Sequence, residues 1–325
     1  MTFVDGLESA SKRFDSIVCM GCDPELKKVP IEVRNVTYDK LTAKYADTHE
    51  VDTYATLAVF YTTILKEAFE NGCMPAAIKP NHAFWAQYGS DGLAALEDVI
   101  EDGRKRSIPV ILDAKRGDIG KTSAAYAREV FDVYNADAVT VAPYMGEDSV
   151  EPFIKTAAEK NRGVYILCRT SNPGAADLQN LVVSGDMSFI TNGQGEISKA
   201  IKRFNDEIPL YKVTARKICK WGEKYPGTVG AVVGATSPIE FEEIARYFVE
   251  EKEPPALLIP GFGTQTGSPE VIAGILNEIG YPLRRCRFNS SSGINFAYEK
   301  AKRTDWAQAA MDEIKKMNEE IGPIE

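Results

Sequence analysis

Asp113, Lys115 and Asp118 stand close together in the run Asp113-Ala114-Lys115-Arg116-Gly117-Asp118, and Lys79 closes an earlier apolar stretch. In Ile111-Leu112-Asp113-Ala114-Lys115 the acid and the base are two positions apart, so on a β-strand both point to the same side. Lys79 would join them from a neighbouring strand. Charged side chains are seldom buried without partners, so a Lys-Asp-Lys cluster would be held by mutual attraction and hydrogen bonds. It is a candidate charged site for catalysis and equally a candidate for a structural ion-pair network. One acid and one lysine do not decide between the two. Further residues that terminate apolar runs are Asp23, Asn81, Thr170, Ser171, Asn172, Pro260, Gly261, Gln265 and the segment from Asn289 through Ser292 to Gly293.

Runs rich in Val, Ile and Leu alternate with longer amphipathic stretches, which is the sequence form of repeated βα units. Eight strands are predicted, near Ile17–Cys22, Ala76–Lys79, Val110–Ala114, Ala138–Ala142, Val164–Cys168, Gly230–Val233, Ala256–Ile259 and Cys286–Phe288. Helices are predicted between them, among others Thr53–Glu70, Gly92–Lys105, Lys121–Tyr134, Tyr211–Lys224, Ile239–Glu250 and Asp305–Asn318. The strand runs are nearly continuous in apolarity, as expected of parallel strands covered by helices. Eight such units predict an α/β fold of the (β/α)8 TIM-barrel type, with chemistry at the C-terminal ends of the strands. A doubly wound sheet is the alternative. No linker is evident, so residues 1–325 read as one barrel domain with insertions near 24–52 and 172–209. The second insertion contains Ser184 to Gly195, glycine-rich and poor in apolar residues, which reads as a lid or, slightly favoured, a plain surface loop.

Composition narrows the function classes. With 47 acidic against 38 basic side chains the 325-residue chain carries a net charge of -9, so no global field draws it to nucleic acid or an anionic membrane. No apolar run approaches the roughly 18 residues of a spanning helix, and the start from Met1 to Phe14 lacks a basic segment followed by an apolar one. The expectation is an untargeted, cytoplasmic protein. Cys19 and Cys22 form a C-x-x-C, but an odd separation on a strand puts the two thiols on opposite faces, which favours buried packing over metal or redox chemistry. The only histidines, His49 and His82, have no partner at ligand spacing and no adjacent serine nucleophile, so neither zinc chemistry nor a Ser-His-Asp triad is expected.

The extended string Asp113-Ala114-Lys115-Arg116-Gly117-Asp118-Ile119-Gly120-Lys121-Thr122 resembles the D-x-K-x-x-D signature of the orotidine monophosphate decarboxylase family. The likeness extends through Gly21-Cys22-Asp23-Pro24, Ile78-Lys79-Pro80-Asn81, Cys168-Arg169-Thr170-Ser171-Asn172-Pro173-Gly174, Val232-Val233-Gly234-Ala235-Thr236 and Ile259-Pro260-Gly261-Phe262-Gly263-Thr264-Gln265. The long form found in some bacteria, similar to the malarial enzymes, fits best. The resemblance implies a barrel, a homodimer, no metal or organic cofactor, and conversion of orotidine 5'-monophosphate to uridine 5'-monophosphate. By the family's pattern Lys115 would deliver a proton to C6, Asp113 would face the substrate carboxylate, and Lys79 and Asp118 would complete the array. Asp118, Ile119 and Thr122 would reach the partner's site. Asp23 and Asn81 would contact the ribose hydroxyls, Ser171 the pyrimidine edge, and Pro260, Gln265, Ser292 and Gly293 would belong to the substrate pocket. Without the array, Asp23 before Pro24 and Asn172-Pro173-Gly174 would read as turns.

At the phosphate end the match breaks. The family places an arginine just after the eighth strand, and in Asn289-Ser290-Ser291-Ser292-Gly293-Ile294 its position falls on Ser292. A charge-assisted hydrogen bond contributes about 1.5 to 3 kcal/mol, so its loss predicts weaker substrate binding. Arg287 is about 16 Å of extended chain away and is no obvious replacement, whereas Arg169 is a conceivable one. Rival readings are a sugar-phosphate decarboxylase or aldolase with the same D-x-K-x-x-D motif, and a nucleotide-binding relative with weakened turnover.

Overall fold

The computed structural model describes residues 1–34, 52–183, 207–263 and 267–324. Eight strands form its centre: β1 Val18–Cys22, β2 Ala77–Pro80, β3 Ile111–Arg116, β4 Ala138–Val141, β5 Gly163–Arg169, β6 Val229–Val233, β7 Ala256–Phe262 and β8 Cys286–Ser290. They pair in parallel in the order β2-β1-β8-β7-β6-β5-β4-β3. Parallel bridges from Ile78 to Val110 and from Asn81 to Asp113 join the two edges into a nearly closed (β/α)8 barrel. All eight expected strands are present. Several run past the apolar stretch that signalled them, because polar residues there still pair: Asn289 with Pro260, Arg116 with Val141.

The helices are α1 Phe3–Phe14, α2 Thr53–Glu70, α3 Gly89–Lys105, α4 Gly120–Arg128, α5 Glu147–Glu159, α6 Leu210–Gly222, α7 Pro238–Val249, α8 Pro269–Glu278 and α9 Trp306–Ile321. The helix expected over Lys121–Tyr134 ends at Arg128 and continues as a π-turn, Glu129–Val133, whose first residue pairs with Arg116 of β3. Among the described residues no helix is long and apolar enough to cross a membrane. Most of both expected insertions, with Ser184 to Gly195 and His49, lies outside the described residues.

Two apolar layers hold the barrel. Side chains on the outer strand faces, such as Val18, Met20 and Cys22, join the helices in one cluster. Inward residues Cys19, Ala77, Ile111, Ala138, Tyr165, Val232, Ala256 and Leu258 form the other with Phe3, Val4 and Leu7 of α1. The two C-x-x-C thiols therefore do fall on opposite faces, both buried and free, and burial pushes the Cys19 thiol up to about 12. Helix α1 closes the N-terminal end. The ring of Phe3 occupies the space a Cβ at Gly163 would need, and Arg287 Nη2 donates to the Leu7 carbonyl at 2.6 Å. With that end filled, the opposite mouth is where the polar strand ends gather.

Candidate active site

Asp113 projects inward from β3, 7 % exposed, and Lys79 arrives from β2, 4 % exposed. Lys79 Nζ donates to Asp113 Oδ2 at 2.9 Å and Lys115 Nζ to Asp113 Oδ1 at 2.7 Å. The carboxylate's third donor is Thr140 Oγ1 of β4, at 2.8 Å. Burial alone would raise the Asp113 carboxyl, but the two ammonium groups outweigh it and hold it well below the usual carboxylate range. Burial also disfavours the charge on Lys79, and Asp113 and Asp23 more than reverse this. Both charges persist through neutral pH. By linkage, Asp113 contributes stability that is present above its unfolded pKa of about 3.9 and lost as pH falls, and Lys79 contributes stability lost only as pH rises through its raised value.

Lys115 joins Asp113 as expected, but not by simple strand alternation. Its φ is 45°, in the left-handed region that costs an ordinary residue about 1 to 2 kcal/mol. The pairing of β3 with β4 shifts register between Leu112 and Arg116 to admit this bend. Two contacts hold it. The Lys115 amide donates to Thr140 Oγ1 at 3.0 Å, and Arg116 makes a two-point ion pair with Glu129, closest at 2.7 Å. The Lys115 side chain stays half exposed, with its head on the buried carboxylate. Strain of this kind concentrates at functional sites.

A cavity of about 300 Å³ opens above Lys79 and Asp113, lined by Asp23, Glu25, Lys79, Asn81, Phe84, Asp113, Ser171, Pro260, Gly261, Phe262, Asn289, Ser291 and Ser292. Asp23 Oδ1 and Asn289 Oδ1 are buried there with no hydrogen-bond partner among the described residues, so the wall holds polar groups that a ligand would satisfy. Asn81 caps the short helix His82–Ala86 through its Oδ1. Ser171 sits where the ends of β5 and β6 nearly touch. A Cβ on Gly234 would lie 2.9 Å from the Ser171 backbone.

Beyond β7 and β8 the chain approaches itself closely. Gly263 has φ 98°, which favours glycine, and a Cβ at Gly293 would lie 2.7 Å from Ser290 Oγ and 3.2 Å from Gly263 Cα, so a larger residue there would have to displace the Ser290 hydroxyl. Ser292 begins the short helix Ser292–Asn295 beside them. Gln265 lies outside the described residues. Arg169, the conceivable stand-in for the expected arginine, is engaged elsewhere: its Nε donates to Glu240 at 2.6 Å and its Nη1 to the Thr170 carbonyl at 2.7 Å. Arg287 is fully buried on the barrel floor among the carbonyls of Leu7, Arg284 and Cys286.

Three members of the expected array thus meet, and the fourth does not join them within this chain. Asp118 accepts from the Ile119 amide at 2.8 Å and, like Lys115, is not among the residues lining the cavity. Ile119, 54 % exposed, and Thr122 are not part of its lining either. Thr140, Glu25 and Phe84 were not anticipated from the sequence. Thr140 had a legible signal, a hydroxyl inside the otherwise apolar run Ala138-Val139-Thr140-Val141. Among the described residues no group of three or more His, Cys, Asp or Glu side chains is placed to hold a metal ion.

Comparison with known proteins shows which family the chain resembles. The sequence model of the orotidine 5'-phosphate decarboxylase / HUMPS family matches residues 60–267. A Thermomicrobium roseum protein named orotidine 5'-phosphate decarboxylase is 36% identical over 324 residues, covering 99% of this chain and 96% of its own length. A Halobacterium salinarum protein of the same name is 33% identical over 322 residues, covering 99% and 98%. Among solved structures, Leishmania donovani OMP decarboxylase superposes with a TM-score of 0.67 at 30% identity, covering 99% of each chain.

Proposed function

Because the chain belongs to the orotidine 5'-phosphate decarboxylase / HUMPS family, we propose that it converts orotidine 5'-monophosphate to uridine 5'-monophosphate and carbon dioxide, using neither metal nor organic cofactor. The observation that carries this reading is the Lys79-Asp113-Lys115 contact set, of which Lys79 and Asp113 line the cavity at the barrel mouth and Lys115 reaches it through Asp113. The bond from C6 to the carboxyl carbon breaks, carbon dioxide leaves, and the electron pair stays on C6 in the plane of the ring. The Lys115 ammonium stabilises that pair and then transfers its proton to C6, and its half-exposed stem allows reprotonation from solvent. Asp113, kept ionised by its two lysines, repels the substrate carboxylate and is relieved as carbon dioxide departs.

The ribose hydroxyls are assigned to Asp23 and Asn81, the pyrimidine edge to Ser171, and the phosphate to the segments around Pro260, Gly263, Ser292 and Gly293, together with Gln265 on the family's pattern alone. We read the active form as a homodimer in which Asp118, Ile119 and Thr122 complete the partner's site. The exposure of Ile119 supports that reading.

The purified protein with a chelator present is expected to release carbon dioxide from orotidine 5'-monophosphate, with a high KM because Ser292 offers no charge to the phosphate. Lys115→Ala should lower kcat at least about 100-fold, and Ser292→Arg should lower KM about 10- to 100-fold. No turnover at millimolar substrate, or full activity in Lys115→Ala, would overturn the reading.

A further inference from the structure

Past Ser292 the substrate cavity meets a second one of about 490 Å³, whose wall includes Lys28, Gly263, Ser292, Gly293, Phe296 and Lys300. Phe262 and Ser292 line both. We infer that Lys28, in the turn Leu26–Lys28 after β1, is the cation that meets the substrate's phosphate in this chain. The inference rests on the decarboxylase reading and names a group that reading leaves open.

A phosphate dianion needs positive charge, and glycine backbone supplies only dipoles. The glutamates Glu270, Glu299, Glu313 and Glu320 on the second cavity's wall give it no positive field of its own, so a local ammonium must act. Lys79 and Lys115 are committed to Asp113, Arg169 to Glu240, and Arg287 to the barrel floor. Of the three lysines on that wall, Lys28, Lys300 and Lys316, Lys28 is the one whose ion-pair partner, Glu25, also lines the substrate cavity, whereas Lys316 pairs along its helix with Glu320 at 3.6 Å. Lys28 instead touches the turn that carries Ser292. Its Nζ lies 5.0 Å from the Phe296 ring centroid, and the Phe296 amide donates to the Ser292 carbonyl at 3.1 Å, which puts that ring one helical turn from Ser292. The Tyr298 hydroxyl donates to the Lys28 carbonyl, so the two segments are fastened at the backbone as well.

The ammonium is also free enough to move. It is paired with Glu25 at 2.9 Å, both side chains 40% exposed, and an exposed pair of that kind is weak. Glu25 lines the substrate cavity, so the pair stands at the join of the two cavities. A phosphate arriving there outcompetes a single carboxylate for the ammonium, which a four-carbon stem lets turn inward.

The test compares orotidine 5'-monophosphate with orotidine, its phosphate-free nucleoside, in the full-length protein. Lys28→Gln is expected to reduce the ratio of kcat/KM for the nucleotide to that for the nucleoside about 10- to 100-fold, through KM rather than kcat. Adding Ser292→Arg to Lys28→Gln should restore the ratio, and Glu25→Gln alone should raise it by releasing Lys28. An unchanged ratio in Lys28→Gln would overturn the inference, as would equal losses on both substrates. Calorimetric affinity for uridine 5'-monophosphate against uridine keeps the question separate from turnover. If the parent protein turns over neither substrate, the decarboxylase reading fails, and a Lys28→Gln protein that still prefers the nucleotide as strongly as its parent overturns the role of Lys28 independently.

Discussion

Asp113 is the residue on which the site depends, because it binds two lysines that would otherwise repel each other, and Thr140 determines how well it does so. The Thr140 hydroxyl donates to Asp113 and accepts from the Lys115 amide, so one side chain secures both the acid and the strained backbone beside it. Thr140→Val keeps the shape and removes both hydrogen bonds, leaving buried groups unpaired at a cost of about 1 to 3 kcal/mol. The expected result is a stability loss of that size in urea and a fall in kcat of about 10-fold or more, with KM little changed, as Lys115 drifts from its aim. Thr140→Ser, which restores the hydroxyl, should recover most of kcat. If valine and serine behave alike, the hydroxyl is not what positions Lys115.

At the scale of elements, parallel strands deliver their C-terminal ends to one mouth, and small residues decide how closely those ends approach. Gly234, just past β6, abuts Ser171, just past β5, with no room for a methyl group. Gly234→Ala should push the Ser171 segment outward and lower kcat/KM for the nucleotide about 10-fold or more, since misplacements near 1 Å carry penalties of that order. Gly274 on α8 has open space at its Cβ position, so Gly274→Ala should leave kcat/KM unchanged and add about 0.5 to 1 kcal/mol of stability through helix propensity. Equal kinetics in the two variants would mean that the contact between β5 and β6 does not govern substrate binding.

For the whole molecule, the question is whether one chain holds a complete site. Asp118 lies beyond β3, its carboxylate taking the Ile119 amide while Lys79 and Lys115 hold Asp113, and the proposed homodimer gives it a place in the partner's site. Lys115→Ala and Asp118→Ala, each inactive alone, should therefore complement when co-expressed. A mixed dimer then has one site with both lesions and one with neither, and random pairing yields about a quarter of full activity. Absence of any gain in mixtures that sedimentation proves to be mixed dimers would place Asp118 in its own chain's chemistry.

The barrel and the order of its strands along the chain were legible in the sequence, because strand periodicity and apolar runs are short-range patterns written along the chain, and Lys79, Asp113 and Lys115 were legible as strand-end residues. Even the position of Ser292 could be read there, from the motif around it. The left-handed turn at Lys115 had no local sign: nothing in Ala114-Lys115-Arg116 demands a positive φ, which is imposed by the register shift against β4 and held by Thr140. Likewise the sequence left Arg169 conceivable as a phosphate ligand, whereas its ion pair with Glu240 commits it elsewhere, and nothing in the sequence pointed to Lys28. Lys28 and Phe296 lie near opposite ends of the chain and become neighbours only because β1 pairs with β8 as the barrel closes. The types of the chemical groups and the elements that carry them were determined by the sequence alone, whereas which groups touch across that closure was decided by tertiary structure.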